Sequence, residues 1–172
     1  MTEIEWSKST DPIKMLASLQ NPTDRDLSTF SLACLRRIWA LITDPRSIAA
    51  IEALEKSAGT KVPEDIALAA SNVGTTSDFE PSTNFSAARA VLHAVSFSLP
   101  PQNYWYNGDR KKIARDVTFY AQLAVAATVR PLQSSHKQTN DSHSDWLMSE
   151  MERAEASAQC DEIRTIFVTP IN

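Results

Sequence analysis

Glycine is scarce in this sequence, with three residues, Gly59, Gly74 and Gly108, standing far apart in a chain of 172. An average chain of this length holds roughly a dozen glycines, at about 7% of residues. The three positions exclude the glycine-rich motifs GxGxxG and GxxxxGK[ST]. Because phosphate-cradling loops need glycine at positive φ, we expect no nucleotide-binding α/β fold that depends on such loops.

Cysteine and histidine are also rare, which limits the chemistry that the sequence supports. Two cysteines, Cys34 and Cys160, are too few for a disulfide framework, and neither has a second ligand at CxxC spacing. None of the three histidines lies in an HExxH or ExxH motif, and no GxSxG motif occurs. Cys34 falls on the apolar stripe of a predicted helix, which is typical of a buried, unreactive thiol. We therefore name no catalytic residue, metal ligand or cofactor, and favour a non-catalytic protein.

The charge is modest overall but unevenly distributed along the chain. The net charge is −4 and the isoelectric point is about 5.4, so general attraction to nucleic acid or anionic membranes is not indicated. Residues 84–137 carry seven basic and two acidic side chains, whereas residues 141–172 carry two basic and seven acidic ones. We expect these two segments to pack together, with a partner-binding patch as the alternative.

Long hydrophobic runs are absent from the sequence. The most apolar stretch, 119–129, has about half the length of a membrane span. The N-terminus is acidic and has no apolar signal region. These features predict a cytoplasmic protein without membrane contact.

Helix start and stop signals are frequent, whereas no run alternates polar and apolar residues as a strand does. Capping residues followed by proline or by apolar residues at steps of three and four predict a first short helix around Trp6 and further helices near 12–19, 24–42, 45–58, 63–74, 85–99, 109–129 and 145–167. The sequence thus predicts a single all-α domain over residues 1–172, with about eight helices in an irregular bundle or stacked helix hairpins. The polar residues 132–144 are expected to form a mobile linker before the last helix.

The helix near 113–129 is rich in alanine, and its second half is apolar on almost every side. Such a helix lies at the centre of a core or in an oligomer interface. With no catalytic motif in view, we predict a helical protein–protein interaction or scaffold module, in which this helix binds a protein partner or a second copy of the chain.

The segment 104–115 carries the strongest sign of a binding surface, because three aromatic residues precede four cations at the start of a helix. Its residues are Tyr104, Trp105, Tyr106, Arg110, Lys111, Lys112 and Arg115. Cations at a helix N-terminus oppose the helix dipole, which indicates that something negative lies nearby. Single-stranded nucleic acid or another anion is one candidate, although the acidic isoelectric point disfavours nucleic acid. Alternatively, the aromatic residues hold the loop to the core and the cations pair with the acidic last helix. A small-ligand pocket or an enzymatic site between helices is a third hypothesis.

Both ends of the chain carry short motifs that occur together in one family. The motifs are Met1-Thr2-Glu3-x-Glu5-Trp6, Cys34-x-Arg36-Arg37-Ile38-Trp39 and Ile163-Arg164-x-Ile166-Phe167. Over residues 1–57 and the last ten, the chain resembles an uncharacterised bacterial protein family. Many of its members have a second cysteine where this chain has Leu35, and Gly-Asn where it has Val168-Thr169. The resemblance implies a bacterial, cytoplasmic, helical protein and no particular activity.

Overall fold

Eight α-helices make up most of the residues that the computed structural model describes, which are 1–57, 62–76, 83–98, 109–128 and 142–167. No strand occurs in these ranges, so the predicted all-α class is confirmed. Two short 3₁₀ helices, Trp39–Leu41 and Ser96–Ser98, complete the pattern. The α-helices are α1 (Glu3–Lys8), α2 (Pro12–Ser18), α3 (Asp24–Arg37), α4 (Pro45–Lys56), α5 (Glu64–Thr76), α6 (Thr83–Val95), α7 (Arg110–Ala127) and α8 (Ser142–Ile166).

The helix starts follow the capping residues in the sequence. The backbone N–H of Glu5 donates to the Thr2 hydroxyl at 3.2 Å, and the backbone N–H of Thr2 donates to the Glu5 carboxylate at 2.7 Å, which is a complete capping box. Asp11, Asp44 and Asp109 each accept a backbone N–H from the first turn of α2, α4 and α7. These four predicted starts are confirmed.

Helix α3 ends earlier than its apolar periodicity predicts. The stripe over 24–42 indicates one helix, whereas α3 stops at Arg37 and the 3₁₀ turn Trp39–Leu41 follows. The backbone leaves the helical conformation at Ile38, where φ is −100° and ψ is 14°. Ile38 and Ile42 are nevertheless buried, so the apolar spacing continues although the backbone hydrogen bonding has changed.

Three further boundaries differ from the prediction. The helix predicted to end near 99 stops at Val95 and is followed by the 3₁₀ turn Ser96–Ser98. Gly74, expected at a helix exit, lies inside α5, which continues to Thr76. Helix α8 begins at Ser142, so residues 142–144 of the predicted linker are helical. The remainder of that linker, like Gly59 and Gly108, lies outside the described residues.

Helix α7 lies at the centre of the fold, in contact with α2, α3, α6 and α8. Its alanines Ala121, Ala124 and Ala127 are buried inside this one chain. The burial accounts for the apolar character of the helix without a second copy, and self-association through residues 113–129 stays a prediction. Phe119 of α7, by contrast, is 46% exposed. None of the described helices combines the length and the apolar character needed to cross a membrane.

Helix α8 packs on α2, α3 and α7 through a buried polar network as well as through apolar contacts. Glu155, only 5% exposed, accepts hydrogen bonds from Arg37 of α3 at 3.0 and 3.1 Å. Fully buried Gln159 donates to Glu155 at 3.1 Å and accepts from Gln122 of α7 at 2.8 Å. The basic middle and the acidic end of the chain therefore pack together, although the carboxylate at the centre of this contact pairs with α3.

Candidate ligand-binding site

The cations of the predicted surface over 104–115 contact different parts of the fold. Arg110 donates to the carbonyl oxygens of Ser96 and Phe97 at 3.3 and 3.2 Å, and its guanidinium lies 3.5 Å from the Asp24 carboxylate. The Lys111 ammonium donates to the carbonyl oxygen of Leu19, the residue that ends α2, at 2.5 Å. Apart from the Asp24 carboxylate, the negative groups that these two cations meet are carbonyl oxygens at the ends of neighbouring helices, where a positive charge is favourable.

The other members of that surface lie elsewhere. Arg115 is 3.5 Å from Asp109, the residue that caps its own helix. Lys112 faces a cavity between helices. The described ion pairs of these cations are with residues of α7 and with Asp24, rather than with the acidic last helix as one alternative predicted. Tyr104, Trp105 and Tyr106 lie outside the described residues.

The cavity that Lys112 lines has a volume of about 320 Å³ and lies between α5, α6 and α7. This volume is at the lower end of the range for small-molecule sites. Its walls are formed by Ser71 and Thr75 of α5, by Arg89, Leu92, His93 and Ser96 of α6 or the 3₁₀ turn after it, and by Lys112, Asp116, Phe119 and Tyr120 of α7.

Helical spacing explains why these side chains meet. On α6, Arg89 and His93 are four residues apart, which places both on one face. On α7, Lys112, Asp116 and Tyr120 follow one another at steps of four and therefore also share a face. Because α7 packs along α6, the two faces border the same cleft. Polar side chains that are 19 to 31 positions apart in sequence thereby converge.

His93 lines the cavity beside a tyrosine. Its imidazole is 8% exposed and stacks on the ring of Tyr120, with 5.0 Å between ring centroids and 19° between planes. Burial lowers the pKa of His93 to about 4, helped by the positive charges of Arg89 and Lys112 and opposed by Asp116. The imidazole is therefore neutral at physiological pH, with one nitrogen able to donate and the other to accept a hydrogen bond.

In the part of the chain that the structure describes, the guanidinium of Arg89 contacts aromatic rings rather than an acid. Its guanidinium carbon lies 5.4 Å from the Phe85 ring centroid and 5.7 Å from that of Tyr120. Its Nε is buried and has no hydrogen-bond partner among the described residues. Stacking on ring faces leaves the N–H edge of a guanidinium available for other partners.

Helix α7 also brings an ion pair and an exposed ring to the cavity. The Lys112 ammonium lies 3.5 Å from the Asp116 carboxylate. The Phe119 ring meets the Tyr120 ring edge to face, at 5.3 Å and 72°. The described lining of the cavity therefore combines aromatic rings, two cations, one carboxylate and a neutral imidazole.

Two polar residues on α6 indicate this site in the sequence, although they belong to no known motif. Helix α6 is otherwise made largely of alanine and small aliphatic residues, and Arg89 and His93 are polar exceptions four positions apart. Two such residues on one face of an apolar helix indicate a polar cleft. The partners on α5 and α7 had no such signal, because only the packing of the helices brings them to α6.

The two cysteines contribute no reactive group. Both thiols are buried. Burial raises the pKa of Cys34 well above its usual value, with the Glu155 and Glu162 carboxylates adding to the effect, and burial raises the pKa of Cys160 to about 11. Both thiols therefore stay protonated, as predicted for Cys34. Within the described ranges, no group of three histidine, cysteine or acidic side chains is placed to hold a metal ion.

A second cavity, of about 350 Å³, lies beside the start of α4 and is lined mainly by apolar residues. Of the described residues that line it, Asp44 is the charged one. That carboxylate already accepts hydrogen bonds from the backbone N–H and the guanidinium of Arg46, at 2.8 to 3.0 Å. Arg46 lowers the pKa of Asp44 and occupies its oxygens, so this cavity offers less polar recognition than the first.

Comparison of the chain with known protein families, with characterised proteins and with solved structures finds no match. The resemblance of its two ends to a bacterial family therefore stays a prediction, and the candidate function depends on the cavity alone.

Proposed function

We propose that this protein is a small-ligand-binding helical domain whose ligand occupies the cavity between α5, α6 and α7. The observation that carries the proposal is the convergence of Arg89, His93, Lys112 and Tyr120 on one cleft of about 320 Å³. Small-molecule sites typically combine an apolar wall with a few convergent polar groups. The half-exposed Phe119 at this cleft gives a ligand further apolar surface.

The properties of His93 favour binding over catalysis at this site. An effective general base has a pKa near the working pH, whereas burial holds the pKa of this imidazole at about 4. A neutral, stacked imidazole instead suits the recognition of a ligand by hydrogen bonding. The proposal thus keeps the non-catalytic character predicted from the sequence and replaces a protein partner with a small molecule as the first candidate.

The test uses two fluorescent probes that share the same aromatic rings, the anion anilinonaphthalene sulfonate and the neutral N-phenylnaphthylamine, titrated against the full chain. We expect saturable binding of at least one probe, with amide chemical-shift changes concentrated at the cavity residues in NMR spectra. Thr75, which is exposed on α5 at the cavity wall, provides the blocking variant. Thr75→Phe should weaken binding about tenfold or more, the loss that corresponds to about 1.4 kcal/mol.

Asp65→Phe is the matched control, since Asp65 is exposed on the first turns of the same helix and does not line the cavity. It adds the same ring to α5 and should leave probe binding unchanged. The proposal fails if neither probe binds at a saturable site, or if Thr75→Phe and Asp65→Phe bind equally well.

The interaction and nucleic-acid hypotheses stay open as alternatives. Arg110 and Lys111 are engaged with backbone carbonyls of the same chain, so the predicted 104–115 surface retains fewer cations for nucleic acid. A partner or second copy at residues 113–129 would have to use the exposed part of α7, of which Phe119 is the large apolar side chain.

A further inference from the structure

Arg89 differs from most other described arginines in the groups that its guanidinium contacts. Seven arginines of the described part lie within 4 Å of a carboxylate. No such carboxylate stands by Arg89 among the described residues, and the contacts of its guanidinium are with the Phe85 and Tyr120 rings. Its buried Nε lacks a hydrogen-bond partner in the same set. A partly buried guanidinium in this state is stabilised when an anion binds to it.

The charges around the cavity favour the same kind of ligand. Among the described residues that line the cavity, Arg89 and Lys112 are positive, Asp116 is the acid and His93 is neutral, so this part of the lining carries an excess of positive charge. Lys112 and Asp116 are 3.5 Å apart, at the long end of an ion pair and partly exposed. On the described part of the wall, an incoming anion would therefore meet two cations and one carboxylate.

The aromatic residues determine what the rest of the ligand is like. The Tyr120 ring is covered by His93, and Phe119 stands edge-on beside it with almost half of its surface exposed. The exposed surface of Phe119 can pack against a further ring in an offset or edge-to-face arrangement. A ring seated there would place an attached acidic group within reach of the cavity's cations.

We propose that the ligand of this site is a small aromatic anion, with its acidic group bound by Arg89 and Lys112 and its ring against Phe119 and Tyr120. This inference rests on the proposed function and narrows it to one chemical class. Binding involves no covalent step. Arg89 acts as the principal anion-binding residue, because its guanidinium is already oriented by two rings and presents planar donors.

The same two probes distinguish anion binding from ligand binding in general, because they differ by one sulfonate group. We expect the full chain to bind anilinonaphthalene sulfonate about tenfold more tightly than N-phenylnaphthylamine, which corresponds to a charge-assisted hydrogen bond of about 1.4 kcal/mol or more. Arg89→Gln should remove most of this difference by weakening the anion alone. Arg89→Lys, which keeps the charge but loses the planar fork, should restore part of it.

Arg36→Gln is the control, because Arg36 also lies over an aromatic ring, that of Trp39 at 4.5 Å, but pairs with Glu55 and is not part of the cavity. It should change neither affinity. If near-ultraviolet circular dichroism shows that Arg89→Gln does not fold, the salt dependence of probe binding to the wild-type chain tests the proposal instead. Added salt should then weaken the anionic probe and leave the neutral probe unaffected.

Equal affinity for both probes, or an equal loss of both in Arg89→Gln, would overturn the anion assignment and leave the ligand-binding proposal standing. Absence of saturable binding for both probes would remove both. Tight binding of the anion that Arg89→Gln does not alter would also overturn the assignment, because a different basic region would then hold the sulfonate.

Discussion

The protonation of His93 depends strongly on the fold. This residue is 8% exposed on an otherwise apolar helix, and burial lowers its pKa from 6.5 to about 4, with Arg89 and Lys112 acting in the same direction and Asp116 against them. The unfolded chain therefore binds more protons at this site between those two pH values. Stability from the neutral imidazole is complete above pH 6.5 and is lost as the pH falls towards 4.

The low pKa of His93 predicts that the stability of the wild type and of His93→Gln depends differently on pH. The free energy of unfolding of the wild type, measured by urea titration, should fall more steeply from pH 6.5 to 4 than that of His93→Gln. The excess loss should be roughly 3 kcal/mol, at 1.36 kcal/mol for each pKa unit. Carboxylates also titrate in this range, but they are common to both proteins and cancel in the comparison. Parallel profiles would show that His93 keeps an ordinary pKa in the folded protein.

At the scale of helices, the start of α7 stabilises the ends of two neighbours. The Lys111 ammonium donates to the Leu19 carbonyl at 2.5 Å, and the Arg110 guanidinium donates to the Ser96 and Phe97 carbonyls. Cations at the N-terminus of their own helix are unfavourable, but each here also lies at the negative end of another helix. The arrangement explains why basic residues stand at this position of the sequence.

Replacing Lys111 with methionine should therefore destabilise the fold, although it removes an unfavourable charge from α7. We expect Lys111→Met to lower the free energy of unfolding by about 1 kcal/mol, the usual contribution of one hydrogen bond to stability. Lys14→Met is the control, since Lys14 is exposed on α2, and a surface change should stay within about 0.5 kcal/mol. If Lys111→Met proves as stable as the wild type, the carbonyl contact contributes nothing and the charge pattern needs another cause.

Local features were predicted well from the sequence, and features created by packing were not. The caps at Asp11, Asp44 and Asp109 act within one turn of chain, so the residue and its neighbours are sufficient to identify them. The end of α3 at Arg37 was missed because apolar spacing continues through Ile38. Arg89 and His93 stood out on α6 only in retrospect, and their partners on α5 and α7 depend on how three helices pack.

At the scale of the whole molecule, the two ends of the chain share one core. Trp6 of α1 and Ile163 of α8 belong to a single cluster of buried residues that also includes Phe30 and Phe167. The Phe30 and Phe167 ring centroids are 6.5 Å apart. Arg164 of α8 donates to the Trp6 carbonyl at 3.4 Å. A core joined from end to end is expected to unfold as one cooperative unit.

The buried pair between Arg37 and Glu155 tests that cooperativity, because it links α3 to a helix more than a hundred residues later. Glu155→Gln leaves Arg37 without its carboxylate, and breaking a buried pair in this way usually costs several kcal/mol. The Arg37 side chain is 34% exposed and so partly hydrated, which reduces the expected loss to about 2 kcal/mol. Circular dichroism and tryptophan fluorescence should report the same shift in urea midpoint.

The neighbouring arginine provides the matched comparison for this change. Arg36 pairs with Glu55 on the surface, where the two side chains are 49% and 30% exposed. Glu55→Gln should therefore alter stability by less than about 0.5 kcal/mol. Equal losses in the two variants would mean that burial does not distinguish the pairs. If circular dichroism and tryptophan fluorescence give different urea midpoints for Glu155→Gln, α8 unfolds independently. In a protein with one shared core, the loss of one contact destabilises all helices together.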